Sequence, residues 1–363
     1  MTRKGILFWL AAFAVAFAGS QPAKAQLASY VDNQNQVMVW DKGFLRKIDF
    51  LAPISMKIGR SAIPYLDNSR SFKIYANNRV TPVNIGFTNA YFATDNLVAF
   101  LNQKSLNVFE AGNVKNLTNV CDQYFVADSV ILYLDSYKGA YKAYYGGKIF
   151  NIENYFADSS LSSIKVTDNI IAYNNFANQF RIFFRGELLS QEDYPVSGFE
   201  VGRNTVAYVD IDRKFKVFHN GKTFILDDFP PKSYKAGDNV VAYVSADGYF
   251  KIFYDDSARS AGYMSGNYTV TDNIVAFKDQ SNYLKIFYKG DIITMDNYFP
   301  NNMTIQYNSL AYVNYGNTLR LFTEGEIYDV TNAELTNWQL NYDVLMYQLG
   351  QNMFRVFYKG QEY

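Results

Sequence analysis

From Tyr30 to Tyr347 one short pattern, close to Asn-x-Val-Ala-Tyr, returns ten times, and its aromatic falls at Tyr30, Tyr65, Phe100, Tyr133, Tyr173, Tyr208, Tyr243, Phe277, Tyr312 and Tyr347. The intervals are 35, 35, 33, 40, 35, 35, 34, 35 and 35 residues. A period held this tightly means one supersecondary unit copied along the chain, each copy burying its apolar face against the next.

The unit reads as four short strands. In the seventh copy, Ser233-Tyr234-Lys235-Ala236 leads through Gly237-Asp238-Asn239 into Val240-Val241-Ala242-Tyr243-Val244; a polar loop then precedes Phe250-Lys251-Ile252-Phe253-Tyr254. The sixth copy adds a fourth strand, Lys222-Thr223-Phe224-Ile225-Leu226, after Asn220-Gly221. Val, Ile, Phe and Tyr separated by turn residues favour strands. Asn220-Gly221, Lys289-Gly290, Lys359-Gly360 and Gly146-Gly147 supply the positive φ of a two-residue hairpin between strands three and four. Asn96, Asn169, Asn204, Asn239, Asn273 and Asn308 stand four before the aromatic. There they are expected to adopt the left-handed conformation in the turn between strands one and two. An amide ladder that binds a ligand is the alternative use for them.

The second strand is apolar at consecutive positions, as in Ile170-Ile171-Ala172-Tyr173, so both of its faces are buried. Four antiparallel strands per copy, stacked face to face and repeated radially, define an all-β fold, a β-propeller of about ten blades. A single large ring with thin first and last blades is preferred, since the longest interval, between Tyr133 and Tyr173, carries no linker; two smaller tandem rings are the alternative. This register places Phe253 between blades.

The run Gly237-Asp238-Asn239-Val240-Val241-Ala242-Tyr243 followed by Lys251-Ile252-Phe253-Tyr254 resembles the TolB-type, WD40-like propeller repeat. That family has a Ser-Pro-Asp-Gly turn before an Ile-Ala-Phe-like strand; the Pro is absent here and the copies are shorter. The resemblance implies fold, and a shared fold does not carry a function with it.

Arg3 and Lys4 precede an apolar stretch from Ile6 to Ala18, and Ala23-Lys24-Ala25 follows. These are the parts of a cleavable signal peptide over residues 1–25, with the propeller domain at 26–363 and a periplasmic or extracellular destination. The apolar stretch is shorter than the roughly 20 residues of a membrane span, so no span is expected in the mature protein. Cleavage leaves 31 basic and 34 acidic residues, a net charge of −3, which gives no footprint for nucleic acid. Cys121, the only cysteine, allows no internal disulfide and is read as a buried spacer.

Catalytic sets are missing. His219 is the only histidine and replaces the Tyr of other copies, so neither a zinc set nor a His-based triad can be assembled. The Asp-rich loops offer carboxylates to calcium without any selective pattern, so no metal or cofactor is expected. The loops joining strands two to three and four to one share one face and carry the variable residues. Among them Asp193, Tyr194, Asp228, Phe229, Asp296 and Tyr298 pair acids with aromatics, as a ligand site would. The competing assignment is structural, with the acid capping a turn and the ring wedged between blades. The segments from Asn154 to Ile164 and from Asp255 to Tyr268 depart from the repeat and are either sites or degenerate copies. The expected function is an exported, non-catalytic binding or scaffold module for a protein or cell-envelope partner. Glycan binding or cleavage through rim aromatics and carboxylates is the alternative.

Overall fold

A computed structural model describes residues 26–83, 88–156, 163–263, 267–351 and 353–363. The segment read as a signal peptide lies outside them. The described residues form ten antiparallel sheets in one ring, nine of four strands and a first of three, each meandering in chain order. Blade 7 is representative, with strands Ser233–Ala236, Val240–Val244, Tyr249–Tyr254 and Ser257–Tyr263. Blade 1 runs from Leu27–Val31 through Phe44–Asp49, and blade 10 from Leu335–Asn341 to the two-residue strand Gln361–Glu362. The expected thin terminal blades are therefore present, and a single ring accommodates them.

Second and third strands build the core. Val240, Val241, Ala242 and Tyr243 are all fully buried, as are their counterparts in blades 5, 6 and 9. Phe253 is 0 % exposed, with its ring 5.5 Å from Phe224 of blade 6, as its register required. Cys121 is likewise buried, and burial pushes its thiol up to about 11. Blades 1 and 10 close the ring: Trp40 and Ala28 pack with Val344 and Val356, Tyr30 stacks on Phe354 at 4.2 Å, and Asn341 Nδ2 donates to the Leu27 carbonyl at 3.1 Å.

A polar staple fastens several of the blades to the next. Glu192, at the end of blade 5's fourth strand, accepts from Tyr208 Oη at 2.7 Å and pairs with Lys216 Nζ at 2.9 Å, both in blade 6. Asp49 does the same for Tyr65 and Lys73, and Asp296 for Tyr312 and Arg320. A bulge on the fourth strand, seen where Phe215 pairs with Asp227 but Lys216 with Ile225, turns that carboxylate toward the neighbouring blade.

The six repeat asparagines do not take the left-handed conformation. At three copies it falls one residue earlier, at Asp168, Tyr307 and Tyr342. The asparagine side chains reach sideways instead. Asn239 Nδ2 donates to Asn273 Oδ1 at 3.1 Å, Asn273 to Asn308 at 3.0 Å, Asn169 to Asn204 at 3.3 Å, and Asn96 to Ser129 Oγ at 2.7 Å. An amide ladder therefore exists, and its rungs hold blades together. Blades approach so closely here that a Cβ on Gly202 would lie 1.7 Å from the Gly237 carbonyl oxygen.

Within the Asp255 to Tyr268 segment, Ser257–Tyr263 forms the blade's outer strand despite the missing turn glycine, and residues 264–266 lie outside the described residues. Asp255 and Asp256 take φ of 52° and 57°, the pair of left-handed residues that a type I′ turn needs. His219 spans this junction, with Nδ1 2.8 Å from Asp256 Oδ1. Of the segment from Asn154 to Ile164, residues 157–162 lie outside the described residues.

Candidate functional site: two faces of the ring

Two constellations rise above the repeat, one on each face. On the face that carries the tight hairpins, the turn between strands one and two places a polar residue five before each repeat aromatic: Arg60, Asp95, Asp128, Asp168, Arg203, Asp238, Asp272, Tyr307 and Tyr342. These side chains converge on the ring axis. Arg203 of blade 6 reaches Asp95 of blade 3 at 2.8 Å and Asp128 of blade 4 at 2.7 Å, with Asp168 of blade 5 at 3.7 Å. Arg60 of blade 2 donates to Tyr307 of blade 9 at 2.7 Å and lies 3.8 Å from Asp95 and 4.0 Å from Asp343 of blade 10. A chain of contacts thus crosses the axis from blade 9 to blade 6, and Asp95 at its centre is 1 % exposed.

Six carboxyls, Asp343 included, share this hub with two guanidinium groups, so charge is not balanced one to one. Burial, then the hydrogen bond and charge of Asp128, push Asp168 up to about 9. Burial likewise raises Asp272 to about 7, with Arg203 opposing, and raises Asp95 and Asp238. Among the described residues no group of three or more His, Cys, Asp or Glu is arranged to hold a metal ion. Protons and arginines, in a site tied by backbone contacts such as Ser129 N–H to Asp168 O at 2.8 Å, make the hub a structural pin.

The opposite face carries the loops between strands two and three and those from strand four to the next blade. The sequence-predicted residues fall on it at three separate blade junctions, not in one pocket. Asp193 and Tyr194 are exposed between blades 5 and 6, and Asp228 and Phe229 between blades 6 and 7. Asp296 is the staple carboxylate of blade 8, bound to Tyr312 Oη at 3.1 Å and Arg320 Nη1 at 3.3 Å. Tyr298 stacks on Tyr315 with ring centroids 3.9 Å apart, and its hydroxyl accepts the Tyr315 N–H at 3.0 Å. Acids of the two-to-three loops serve the fold: Asp210 accepts from Lys214 N–H at 2.8 Å and pairs with Lys216 at 2.8 Å, while Asp279 caps Ser281 and Tyr283 N–H groups at 2.9 Å.

Residues not singled out from sequence complete this face. Tyr137, Phe176, Ile211 and Tyr315 stand bare in two-to-three loops, and Tyr155 meets Phe176 edge to face at 4.8 Å. The signal for them was available, namely a large apolar residue inside a polar turn such as Asn174-Asn175-Phe176.

A ring of blade-like sheets, tied together on one face and carrying exposed rings on the other, is a β-propeller. The chain belongs to the family of the 10-bladed beta propeller domain, whose model matches residues 21–363. Among solved structures, it is similar to the computationally designed Ika8 protein, with 14 % identity over 75 % of this chain and 96 % of that one and a TM-score of 0.34. It is also similar to Hsv2 of Kluyveromyces marxianus (12 % identity, 69 % and 98 %, TM-score 0.32). The CRINKLY WD40 ectodomain of the Arabidopsis thaliana receptor kinase ACR4 is a third likeness, at 9 % identity, 76 % and 93 %, and a TM-score of 0.29. A comparison with curated proteins finds no match. The WD40-like reading of the repeat is met at the level of fold. Among the described residues no helix is long and apolar enough to cross a membrane.

Proposed function

We propose that this chain is an exported, non-catalytic propeller that presents its loop face to a protein or cell-envelope partner. The observation that carries the reading is a series of exposed apolar side chains on the loops of blades 4 to 7. Tyr137, Tyr155, Phe176, Tyr194, Ile211 and Phe229 come from six consecutive loops of that face, all more than half exposed. Rings held out on short loops lose little entropy on docking and are the residues that dominate protein interfaces. The two-residue hairpin turns of the opposite face are polar or glycine at Asn220-Gly221, Asp255-Asp256, Lys289-Gly290 and Lys359-Gly360. Export is supported by Arg3-Lys4, the apolar stretch and Ala23-Lys24-Ala25.

The test is site-specific photo-crosslinking of the full chain expressed in its own cell. A crosslinker at Tyr155 or Phe229 is expected to give a discrete adduct that one at Asn220, on the hairpin face, does not. Phe176→Ser with Phe229→Ser is expected to abolish the adduct while changing stability by no more than about 0.5 kcal/mol per site. Equal labelling from both faces would defeat the reading. The mature N-terminus, sequenced from fractionated cells, is expected at Gln26.

A further inference from the structure

The loop face also carries a groove of a different character, away from the exposed apolar side chains of blades 4 to 7. At blades 8 to 10 two depressions of about 310 and 660 Å³ meet, sharing Val313 and Trp338 in their walls. The Tyr298–Tyr315 stack forms one side, Trp338 of blade 10's inner strand the other. Tyr298 is held by the hydrogen bond from Tyr315 N–H, while the Tyr315 ring is 83 % exposed. Around the rings the walls carry amides and a hydroxyl, with Asn301, Asn317 and Thr336 among them, beside the apolar Pro300, Val313 and Leu335. One charged residue, Glu334, lines the two depressions, and no cation does.

We infer that this groove binds a neutral saccharide. Aromatic faces accept the C–H faces of pyranose rings. Asparagine amides both donate and accept, which matches sugar hydroxyls, themselves donors and acceptors. A phosphate or carboxylate ligand would call for Arg or Lys, the groups that recognise anions, and a lipid chain would not use a wall this polar. The size lies within the range of small-ligand sites. Hydrolysis needs two carboxyl groups flanking the scissile bond, and with Glu334 alone the groove holds a glycan without cutting it. The inference does not depend on a protein partner docking to the exposed loops of blades 4 to 7.

Tryptophan fluorescence reads the site directly, because a chain starting at Gln26 contains two tryptophans, Trp40 buried at the blade 1–10 seam and Trp338 in the groove. The probes are neutral hexasaccharides of α- and β-linked glucose and of β-linked N-acetylglucosamine, with a proline-rich peptide as comparator, and calorimetry supplies affinities. At least one saccharide is expected to bind and to shift Trp338 emission. Tyr315→Ala, which removes an exposed turn ring and no core contact, is expected to weaken that binding about tenfold or more. Trp338→Phe should abolish the fluorescence change and keep measurable binding, and Phe229→Ala should change neither. No binding by any saccharide, binding insensitive to Tyr315→Ala, or binding of the peptide alone would overturn the inference. The crosslink from Phe229 reports separately on the protein-partner reading.

Discussion

At the scale of single residues, the repeat tyrosine has two jobs that come apart by mutation. Its ring fills the space between blades, and its hydroxyl closes the staple. Tyr208 does both: it is fully buried, donates to Glu192 at 2.7 Å and accepts from Gln191 Nε2 at 2.8 Å. Tyr243 is equally buried, yet among the described residues its hydroxyl has no hydrogen-bond partner, and Asp227 in that junction pairs with Lys251. Removing a hydroxyl whose carboxylate partner stays behind costs about 1–3 kcal/mol, whereas removing an unsatisfied buried hydroxyl recovers its desolvation. Tyr208→Phe is therefore expected to lower stability by about 1–2 kcal/mol. Tyr243→Phe is expected to be neutral or stabilising; paired urea titrations measure both. An equal loss in the two variants would show that the hydroxyl bonds contribute nothing.

At the scale of elements, strands were legible because each carries its own signal, and the contacts between copies were not. The doubly apolar second strand and the Asn-Gly or Lys-Gly hairpin are local facts. They placed Phe253 between blades, where it meets Phe224 and the edge of His219. Phe253→Ala opens a cavity at that seam and is expected to cost about 3–5 kcal/mol in denaturant unfolding; a loss below about 1 kcal/mol would mean the seam collapses freely around it. The asparagines misled because an Asn before a strand fits a left-handed turn and a lateral amide bond equally well, and only the neighbouring blade decides. In the candidate site, Tyr194, Phe229 and Tyr298 were visible as aromatics paired with acids in four-to-one loops. Phe176 and Tyr315 stand between an Asn and a small residue, so no acid–aromatic pair marked them. Trp338 sits in an inner strand of the atypical last blade, where no repeat position marks it.

At the scale of the whole molecule, a ten-bladed ring needs something at its axis, and the hub supplies it from residues as far apart as Arg60 and Tyr307, 247 positions, that no local pattern could connect. Each Asp reads in sequence as an ordinary turn residue; ring closure alone turns six of them toward two arginines. The consequence is a stability that depends on pH with a definite sign. A carboxyl raised in the folded state holds its proton there and loses it on unfolding, so at intermediate pH the folded protein binds more protons than the unfolded chain, and stability falls as pH rises. For Asp272 the fall runs from the ordinary carboxylate range to about 7, and for Asp168 it continues to about 9. Asp67, which caps the Ser69 and Ser71 turn and pairs with Lys73 within blade 2, is held down at about 2 against the effect of its burial, and acts in the opposite sense only in stronger acid. Between about pH 5 and pH 8 the melting temperature is therefore expected to decline, with a slope of at most about 1.4 kcal/mol per pH unit for each titrating hub carboxyl. Asp168→Asn keeps the shape, cannot ionise, and is expected to raise the melting temperature at the alkaline end and flatten the profile there. Arg203→Met leaves Asp95, Asp128 and Asp168 without their shared cation. Its loss, about 3–5 kcal/mol for a broken buried pair, should be smaller in mild acid, where protonated carboxyls need no counter-charge. Scanning calorimetry of the three proteins across that range checks all of this, and a wild-type profile that rises with pH would rule out the shared-proton hub.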